Sequence, residues 1–289
     1  MSFPPAAVLT AAATPFDRDG GLDEDGARTL FRFLRDAGVD GVFCAGTTGE
    51  FTALDRDERR AVVAVALEVF GADRVIAHVG APAARQARAL AEDALAAGAT
   101  AVAAISPFYL RPRPAAVHAY YAELDRALDG RAALYPYLFR ECTGYPTGPE
   151  ELAALAELPS VAGAKVSGES AERIGEYVRA VPAGFPVFTG NDAEFAASVR
   201  LGAAGTTSGT SSAFPEVFVA LGAALRNGDP GEVAAADRAV RDAVAACSGI
   251  PLVKAGLAGR GLPAGPYRVA QDPPAPGQLT ALNAELGRR

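Results

Sequence analysis

Short apolar runs recur roughly every 25 to 35 residues along most of this 289-residue chain, and each is followed by a charged segment with helical spacing. This alternation is typical of repeated βα units, whose parallel strands are buried on both faces. The chain has eight such runs: Val8–Phe16, Gly38–Gly46, Arg74–Ala81, Ala99–Phe108, Ala132–Phe139, Val161–Val166, Pro186–Gly190 and Ala203–Ser208. Eight βα units predict an α/β fold, a (β/α)8 TIM barrel, as the catalytic domain over residues 1–225.

A doubly wound open sheet is the alternative arrangement of alternating strands and helices. The dinucleotide-binding form of that fold has a G-x-G-x-x-G sequence after its first strand, and none follows Val8–Phe16. Beyond residue 225 the strand pattern stops, and helical spacing continues through residues 233–247, 252–258 and 279–286. We therefore predict a small C-terminal helical domain over residues 226–289.

Charge and composition narrow the classes of partner. A formal charge of −7 disfavours a nucleic-acid surface, and no stretch of about 18 apolar residues suggests a membrane span. The three cysteines, Cys44, Cys142 and Cys247, have no C-x-x-C spacing and indicate neither a disulfide framework nor a zinc site. We expect a cytoplasmic protein that binds small molecules.

In a barrel of this kind the reacting groups lie at the C-terminal ends of the strands. Lys165, near the end of the sixth apolar run, is one of only two lysines among 27 basic residues. A desolvated primary amine can be neutral near pH 7 and attack a carbonyl carbon, whereas arginine cannot. The alternative is a lysine whose stem lies on the barrel wall and whose amine reaches water. The other lysine, Lys254, falls in the appended helices.

Other strand ends add groups that suit a carbonyl substrate. Gly46, Thr47 and Thr48 follow the second strand, where glycine allows close backbone approach and the hydroxyl and N–H groups can bind a carboxylate. Tyr109 follows the fourth strand and Tyr135 lies in the fifth, so a phenol can shuttle protons beside Lys165. Each tyrosine can equally be an aromatic residue of the barrel wall.

Arg140, just beyond the fifth strand, is a candidate to pair with a substrate carboxylate, although an arginine in a loop is more often solvated surface. The two histidines, His78 and His118, are not clustered with other metal-ligating residues, so we expect no metal. We expect His78 to be buried with its ring nitrogens hydrogen-bonded.

Motifs at the ends of successive strands resemble those of the dihydrodipicolinate synthase and N-acetylneuraminate lyase family, over essentially the whole chain. They are residues 46–50, 106–109, Tyr135, 163–165, 190–192, 205–209 and 260–265. The resemblance implies a TIM barrel with a C-terminal helical domain, assembled as a homotetramer or homodimer. It also implies a Schiff base between a lysine and pyruvate or another 2-oxo acid, with no further cofactor.

Carried over by the resemblance, Lys165 is the nucleophile and Tyr135 the proton shuttle. Thr47 links Tyr135 to Tyr109, which tends to serve the site of a neighbouring subunit, and Thr48 with its amide holds the carboxylate of pyruvate.

Gly190 and Thr207 are also expected in the substrate site, and Arg140 is the candidate for the carboxylate-binding arginine of the synthase. Family members commonly have Tyr-Asn-x-Pro after strand five, and relative to that pattern the chain carries about two extra residues before Thr143.

These expectations define a reaction class but leave the second substrate open. The activity is expected to resemble that of 4-hydroxy-tetrahydrodipicolinate synthase, with an aldehyde as second substrate. A 2-keto-3-deoxy sugar-acid aldolase or dehydratase is the alternative within the family. A non-catalytic ligand-binding barrel, or a phosphate-binding barrel that uses residues 202–209, is the alternative of another class.

Overall fold

The computed structural model describes residues 3–288, and its centre is a closed barrel of eight parallel strands. Each strand pairs with the next along the chain, and the last pairs with the first. Each of the eight apolar runs contains or overlaps one strand, which confirms the predicted TIM barrel. The strands are β1 (Ala7–Ala11), β2 (Gly41–Cys44), β3 (Val75–His78), β4 (Ala101–Ile105), β5 (Ala133–Phe139), β6 (Ala164–Ser167), β7 (Val187–Thr189) and β8 (Gly205–Ser208).

Twelve α-helices connect the strands or follow them within residues 3–288. They are α1 (Glu24–Asp36), α2 (Arg56–Phe70), α3 (Ala84–Ala96), α4 (Pro114–Leu128), α5 (Arg140–Thr143), α6 (Pro149–Leu155), α7 (Ala171–Ala180), α8 (Phe195–Arg200), α9 (Pro215–Asn227), α10 (Pro230–Ala246), α11 (Ile250–Gly259) and α12 (Pro276–Leu286). The last three are the helices that the sequence indicates beyond the barrel. The predicted boundary between residues 225 and 226 falls within α9.

Helix α2 illustrates how local sequence determines these elements. Its N-cap Asp55 accepts a hydrogen bond from the Glu58 amide, and the Glu58 side chain accepts one from the Asp55 amide, which forms a capping box. Val62 and Ala66, four residues apart, are buried on the face toward the barrel. Gly71 ends the helix with a positive φ of 79°, a conformation that favours glycine.

The barrel interior is filled by side chains that alternate along the strands. These belong mainly to apolar and aromatic residues: Ala7, Leu9, Phe43, Ile76, Ala101, Ala103, Ile105, Tyr135, Tyr137 and Phe188. Residues two apart on one strand point to the same face, so Tyr135 and Tyr137 both face the interior, in successive layers. The helices cover the outer face of the strands, and the strand ends are therefore held in a fixed arrangement.

A buried ion pair joins the loop after β2 to the C-terminal segment. The Lys254 Nζ atom lies 2.8 Å from Glu50 Oε1, and both side chains are almost fully buried. Glu50 Oε2 accepts hydrogen bonds from the backbone amides of Arg268 (2.6 Å) and Val269 (3.0 Å). Glu50 thus acts as a structural residue, and Lys254 lies in this clamp rather than at a strand end.

None of the helices described between residues 3 and 288 combines the length and the apolar character that a membrane crossing needs.

Candidate active site

A cleft of about 710 Å³ opens at the C-terminal ends of the strands, where the sequence predicts the reacting groups. Lys165 on β6 and Tyr137 on β5 line it. The loop after β2 contributes Thr47 and Thr48 to the lining. Across the cleft are Gly190 and Asp192 from the segment after β7, Thr207 from β8, and Gly209 and Thr210 just beyond it. The strand-eight segment considered for phosphate binding therefore contributes to the same cleft as Lys165.

Lys165 is held in an apolar environment, with a side chain that is only 5% exposed. Its Nζ atom lies 4.2 Å from the centre of the Tyr137 ring and 4.4 Å from that of Phe43. Burial lowers the pKa of the Lys165 amine to about 7, against the opposing effect of the negative charge on Asp192. A substantial fraction of the amine is therefore neutral and nucleophilic at neutral pH, where a solvated lysine is neutral in roughly one molecule in several thousand.

Tyr137 is the tyrosine beside Lys165. The two residues are directly opposite each other in the β5–β6 register. The Tyr137 hydroxyl lies 3.2 Å from Thr47 Oγ1, and it also interacts with the Ser167 side chain. Burial raises the pKa of Tyr137 to about 12, so its hydroxyl is protonated at neutral pH and can donate or relay a proton.

The prediction that Tyr135 faces Lys165 is wrong. Tyr135 lies one interior layer deeper, where its ring occupies the space above Gly163: a Cβ on that glycine would be 2.5 Å from Tyr135 Cε1. Tyr135 is not among the residues that line the cleft. Both tyrosines satisfy the inward alternation of β5, and only the pairing with β6 determines which one reaches the amine.

Tyr137 lies two residues after Tyr135, and this difference accounts for the two residues that appeared to be inserted after strand five. Counted from Tyr137, the spacing to Thr143 needs no extra residues. The position expected for the carboxylate-binding arginine then moves from Arg140 to Cys142. The structure agrees, because Cys142 lines the cleft whereas Arg140 is exposed and lies outside the lining.

The loop after β2 is shaped by two residues with a positive φ that are not glycine. Ala45 has a φ of 51° and Glu50 a φ of 56°, a left-handed conformation that costs on the order of 1–3 kcal/mol for each residue. Thr47 and Thr48 lie between them at the cleft. Gly46 is outside the lining, and a Cβ there would be 2.6 Å from the Phe43 ring, so this glycine allows the loop to pack closely.

Asp192 lines the cleft and is a candidate functional residue. From the sequence it is included only as part of the motif at residues 190–192. Its Oδ2 atom accepts hydrogen bonds from Ser208 Oγ (2.7 Å) and from the amide of Thr210 (3.3 Å). Its buried Oδ1 atom has no hydrogen-bond donor among the described residues. Burial raises the pKa of Asp192, and Lys165 opposes this effect through its charge. In the sequence, the only indication of a functional role for Asp192 is its position as an acidic residue shortly after the seventh strand.

Glycines let the segments after β7 and β8 approach their neighbours. A Cβ on Gly190 would be 2.0 Å from Ser167 Oγ, and one on Gly209 would be 2.8 Å from Thr48 Oγ1. Neither position has room for a side chain without displacing a residue of the cleft.

Tyr109 is not brought to the cleft of its own chain. Its side chain is 92% exposed, and its φ of 75° is the left-handed conformation that a tyrosine rarely adopts. Leu110 beside it is 77% exposed.

His78 matches the expectation of a buried histidine with satisfied ring nitrogens. Its Nε2 atom accepts a hydrogen bond from the Ile105 amide (3.1 Å), and Nδ1 lies 3.0 Å from the Ala45 carbonyl oxygen. Burial lowers the pKa of this imidazole well below its usual range. Within residues 3–288 no group of three or more His, Cys, Asp or Glu side chains is arranged to hold a metal ion.

Comparisons with known proteins agree with this fold. The sequence profile of the dihydrodipicolinate synthetase family matches residues 4–281. An uncharacterised DapA-like lyase of Halobacterium salinarum is 38% identical over 265 residues, which cover 90% of this chain and 86% of the relative. The 4-hydroxy-tetrahydrodipicolinate synthase of Mycolicibacterium paratuberculosis is 31% identical over 96% of this chain and 93% of its own length.

Solved structures share the whole architecture. The dihydrodipicolinate synthase of Thermotoga maritima superimposes with a TM-score of 0.92 at 26% identity and covers 100% of this chain and 99% of its own. A prophage protein of Escherichia coli K12 from the same family, solved in complex with pyruvate, gives a TM-score of 0.89 at 25% identity over 98% of each chain. The chain therefore belongs to the dihydrodipicolinate synthetase family of class I aldolase-type lyases.

Proposed function

We propose that this enzyme forms a Schiff base between Lys165 and pyruvate, or a 2-oxo acid that yields pyruvate, and makes or breaks a carbon–carbon or carbon–oxygen bond through that imine. The observation that carries the proposal is the buried Lys165 amine, with its pKa lowered to about 7, at the base of the cleft. A relative of the same family was solved with pyruvate, which supports the same choice of ligand. In this account the lysine itself supplies the reactive group, without a further cofactor.

The first half of the reaction builds an electron sink. The neutral Lys165 amine attacks C2 of pyruvate, a C–N bond forms, and the carbonyl oxygen takes up a proton. Loss of that oxygen as water gives the imine, which is protonated on nitrogen. The positive nitrogen withdraws electrons, so a C3 proton can leave and an enamine forms.

In the synthetic direction the enamine C3 attacks the carbon of an aldehyde. The new C–C bond forms as the carbonyl π bond breaks, and the aldehyde oxygen takes up a proton. Water then adds to C2 of the imine, and release of the 2-oxo acid product restores the free Lys165 amine. Cleavage of a 2-oxo acid follows the same steps in reverse.

Tyr137 and Thr47 are the groups that we assign to proton transfer. Formation and dehydration of the carbinolamine require a proton to be delivered to, and removed from, an oxygen beside C2. The Tyr137 hydroxyl is next to Lys165 and 3.2 Å from the Thr47 hydroxyl, so the pair can pass a proton without a charged intermediate on tyrosine.

The carboxylate of pyruvate is assigned to the loop after β2. Thr48 offers a hydroxyl and a backbone amide, and the lining of the cleft by Thr47 and Thr48 supports this assignment. Thr207 and Gly190 complete the wall around the imine.

The second substrate separates the candidate activities. The relatives named 4-hydroxy-tetrahydrodipicolinate synthase support an aldehyde acceptor of that kind. The absence of an arginine from the lining of the cleft, among the described residues, favours instead a sugar-acid aldolase or dehydratase, which has no need of a second carboxylate-binding cation.

We further propose that the chain assembles as a homotetramer or homodimer in which Tyr109 serves the site of a neighbouring subunit. The supporting observations are its exposed phenol and its left-handed backbone, together with the adjacent exposed Leu110. A strained, exposed aromatic residue is costly unless a partner covers it.

Exchange of the C3 protons of pyruvate tests the proposed chemistry without knowledge of the acceptor. Incubation of the enzyme with pyruvate in D2O, followed by ¹H NMR, should show catalysed loss of the methyl signal, because imine and enamine interconvert. Lys165→Met should abolish the catalysed exchange. A wild-type protein that binds pyruvate but exchanges no proton would support the non-catalytic barrel instead.

A further inference from the structure

One part of the cleft is lined by the last residue of β5 and by the segment that follows it. Phe139, Glu141 and Cys142 contribute side chains to it, and Asn191 and Gln271 also line the cleft. Within the described residues, Lys165 is the only side chain with a basic group in the lining. The Lys165 nitrogen is neutral in the enamine that meets the second substrate, so the lining offers that substrate no cation.

Glu141 brings a negative charge to this part of the cleft. Its carboxyl carbon would be 3.7 Å from a Cβ placed on Gly168, and the Phe139 ring would be 3.1 Å from the same point, so both side chains lie over Gly168. No lysine, arginine or histidine among residues 3–288 lies within ion-pair distance of the Glu141 carboxylate.

The charge of Glu141 affects the pKa of the neighbouring Cys142 thiol. Burial raises the pKa of the Cys142 thiol, the Glu141 carboxylate raises it further, and the Lys165 amine opposes both. Glu141 and Lys165 therefore both act electrostatically on the Cys142 thiol, which lines the same cleft.

We propose that Glu141 is a specificity-determining residue that excludes aldehydes bearing a carboxylate and selects uncharged aldehydes bearing hydroxyl groups. This inference rests on the proposed function, since it concerns the aldehyde that joins the pyruvate-derived enamine. The carboxylate of pyruvate, Glu141 and Asp192 already place negative charge around the cleft, so an acceptor carboxylate would meet repulsion with no cationic partner.

A hydroxyl group on the acceptor would be attracted to Glu141, whereas a carboxylate would be repelled. The hydroxyl can donate a hydrogen bond to the Glu141 carboxylate, which is unpaired among the described residues, and charge-assisted hydrogen bonds of this type are stronger than neutral ones. The Asn191 Nδ2 atom donates to the Glu169 carbonyl oxygen (3.2 Å), and its Oδ1 atom can accept a further hydrogen bond in the cleft. This part of the cleft thus suits the hydroxylated end of a sugar-derived aldehyde.

Glyoxylate and glycolaldehyde form a matched pair for the test, because both have two carbons and differ only by a carboxylate in place of a CH2OH group. The formation of each aldol product from pyruvate is followed by mass spectrometry for wild type, Glu141→Gln and the control Glu150→Gln. Glu150 is exposed on α6 and lies outside the cleft. The readout is the ratio of kcat/KM for the two aldehydes, which does not depend on the amount of active enzyme.

We expect the wild type and Glu150→Gln to prefer glycolaldehyde, and Glu141→Gln to shift the ratio toward glyoxylate by about tenfold, which corresponds to the loss of roughly 1.4 kcal/mol of repulsion. A ratio that is the same in Glu141→Gln and wild type would overturn the inference. Wild-type exchange of pyruvate protons in D2O is measured in parallel. Its absence would contradict the proposed function, whereas normal exchange with an unshifted ratio would contradict the role of Glu141 alone.

Discussion

At the scale of single residues, the chemistry depends on how far burial lowers the pKa of Lys165. Burial removes the amine from water and disfavours its charged form. The negative charge of Asp192 and the ring faces of Phe43 and Tyr137 favour the charged form, but they offset burial only in part. A lysine with a lowered pKa is protonated below that pKa and neutral above it. Imine formation should therefore weaken as the pH falls through about 7.

The pH dependence of pyruvate proton exchange checks this expectation. At pyruvate concentrations well below KM, the exchange rate reports the ionisation of the free enzyme. We expect the rate to rise with pH and to level off above an apparent pKa of about 7. A rate that continues to rise toward pH 10, as for a solvated lysine, would show that burial does not activate the amine.

The two interior tyrosines of β5 provide a matched pair of variants. Tyr137→Phe removes the hydroxyl that lies 3.2 Å from Thr47, and it should slow proton exchange by about 100-fold or more, the usual contribution of general acid–base catalysis. Tyr135→Phe removes a hydroxyl that lies outside the cleft lining, and should leave the rate within about threefold. The reverse order of effects would restore Tyr135 as the proton shuttle.

These tyrosines also show where the sequence is insufficient. Alternation along the fifth strand indicates that Tyr135 and Tyr137 both face the interior. It does not indicate which of the two lies beside Lys165. The layer that reaches Lys165 is determined by the pairing of Tyr137 with Lys165 across two strands, a non-local contact. The same applies to Glu141 and Cys142, whose places in the lining follow from that register.

At the scale of secondary structure elements, the loop after β2 is held by its connection to the C-terminal segment. Glu50 forms an ion pair with the Lys254 amine and accepts hydrogen bonds from two backbone amides. Arg268 forms a second ion pair, with Glu58 on α2, in which Nη2 lies 2.6 Å from Oε1. The loop carries Thr47 and Thr48 in a conformation with two positive φ values. The clamp therefore stabilises a strained loop, to which we assign the carboxylate of pyruvate.

Glu50→Gln tests the importance of the clamp. The change leaves Lys254 buried beside a neutral amide, and loss of one partner of a buried ion pair costs about 3–5 kcal/mol. Urea unfolding should show a clear fall in the midpoint. Asp57→Asn, which removes an exposed pair with Arg60 on α2, serves as control and should cost less than about 1 kcal/mol. Equal, small effects for both variants would mean that Glu50 does not stabilise the loop.

At the scale of the whole molecule, the fold was largely predictable because its signals are local and repeated. Each apolar run is short and is bounded by helical segments, so eight strands and the three appended helices can be read from spacing alone. The rule that reacting groups lie at strand ends located Lys165, Thr47, Thr48, Gly190 and Thr207, all of which line the cleft. It does not place Tyr109, which is exposed on its own chain and which we propose to serve the site of a neighbouring subunit.

Assembly provides a prediction at this scale. We expect native mass spectrometry to show a dimer or tetramer, and Leu110→Glu to weaken it, because Leu110 is 77% exposed beside Tyr109. Leu201→Glu is the control, since Leu201 is also exposed, at 41%, but follows α8 elsewhere on the barrel. If Leu110→Glu leaves the native mass unchanged, the surface around Tyr109 is not the interface.

The central claim is that Lys165 forms a covalent imine with pyruvate. The most direct measurement is reduction of the enzyme with borohydride in the presence of pyruvate, followed by mass spectrometry of the intact protein and of its peptides. We expect one added group per chain, equal to pyruvic acid less one oxygen atom, on the peptide that contains Lys165. An unmodified protein, or modification confined to Lys254, would contradict it.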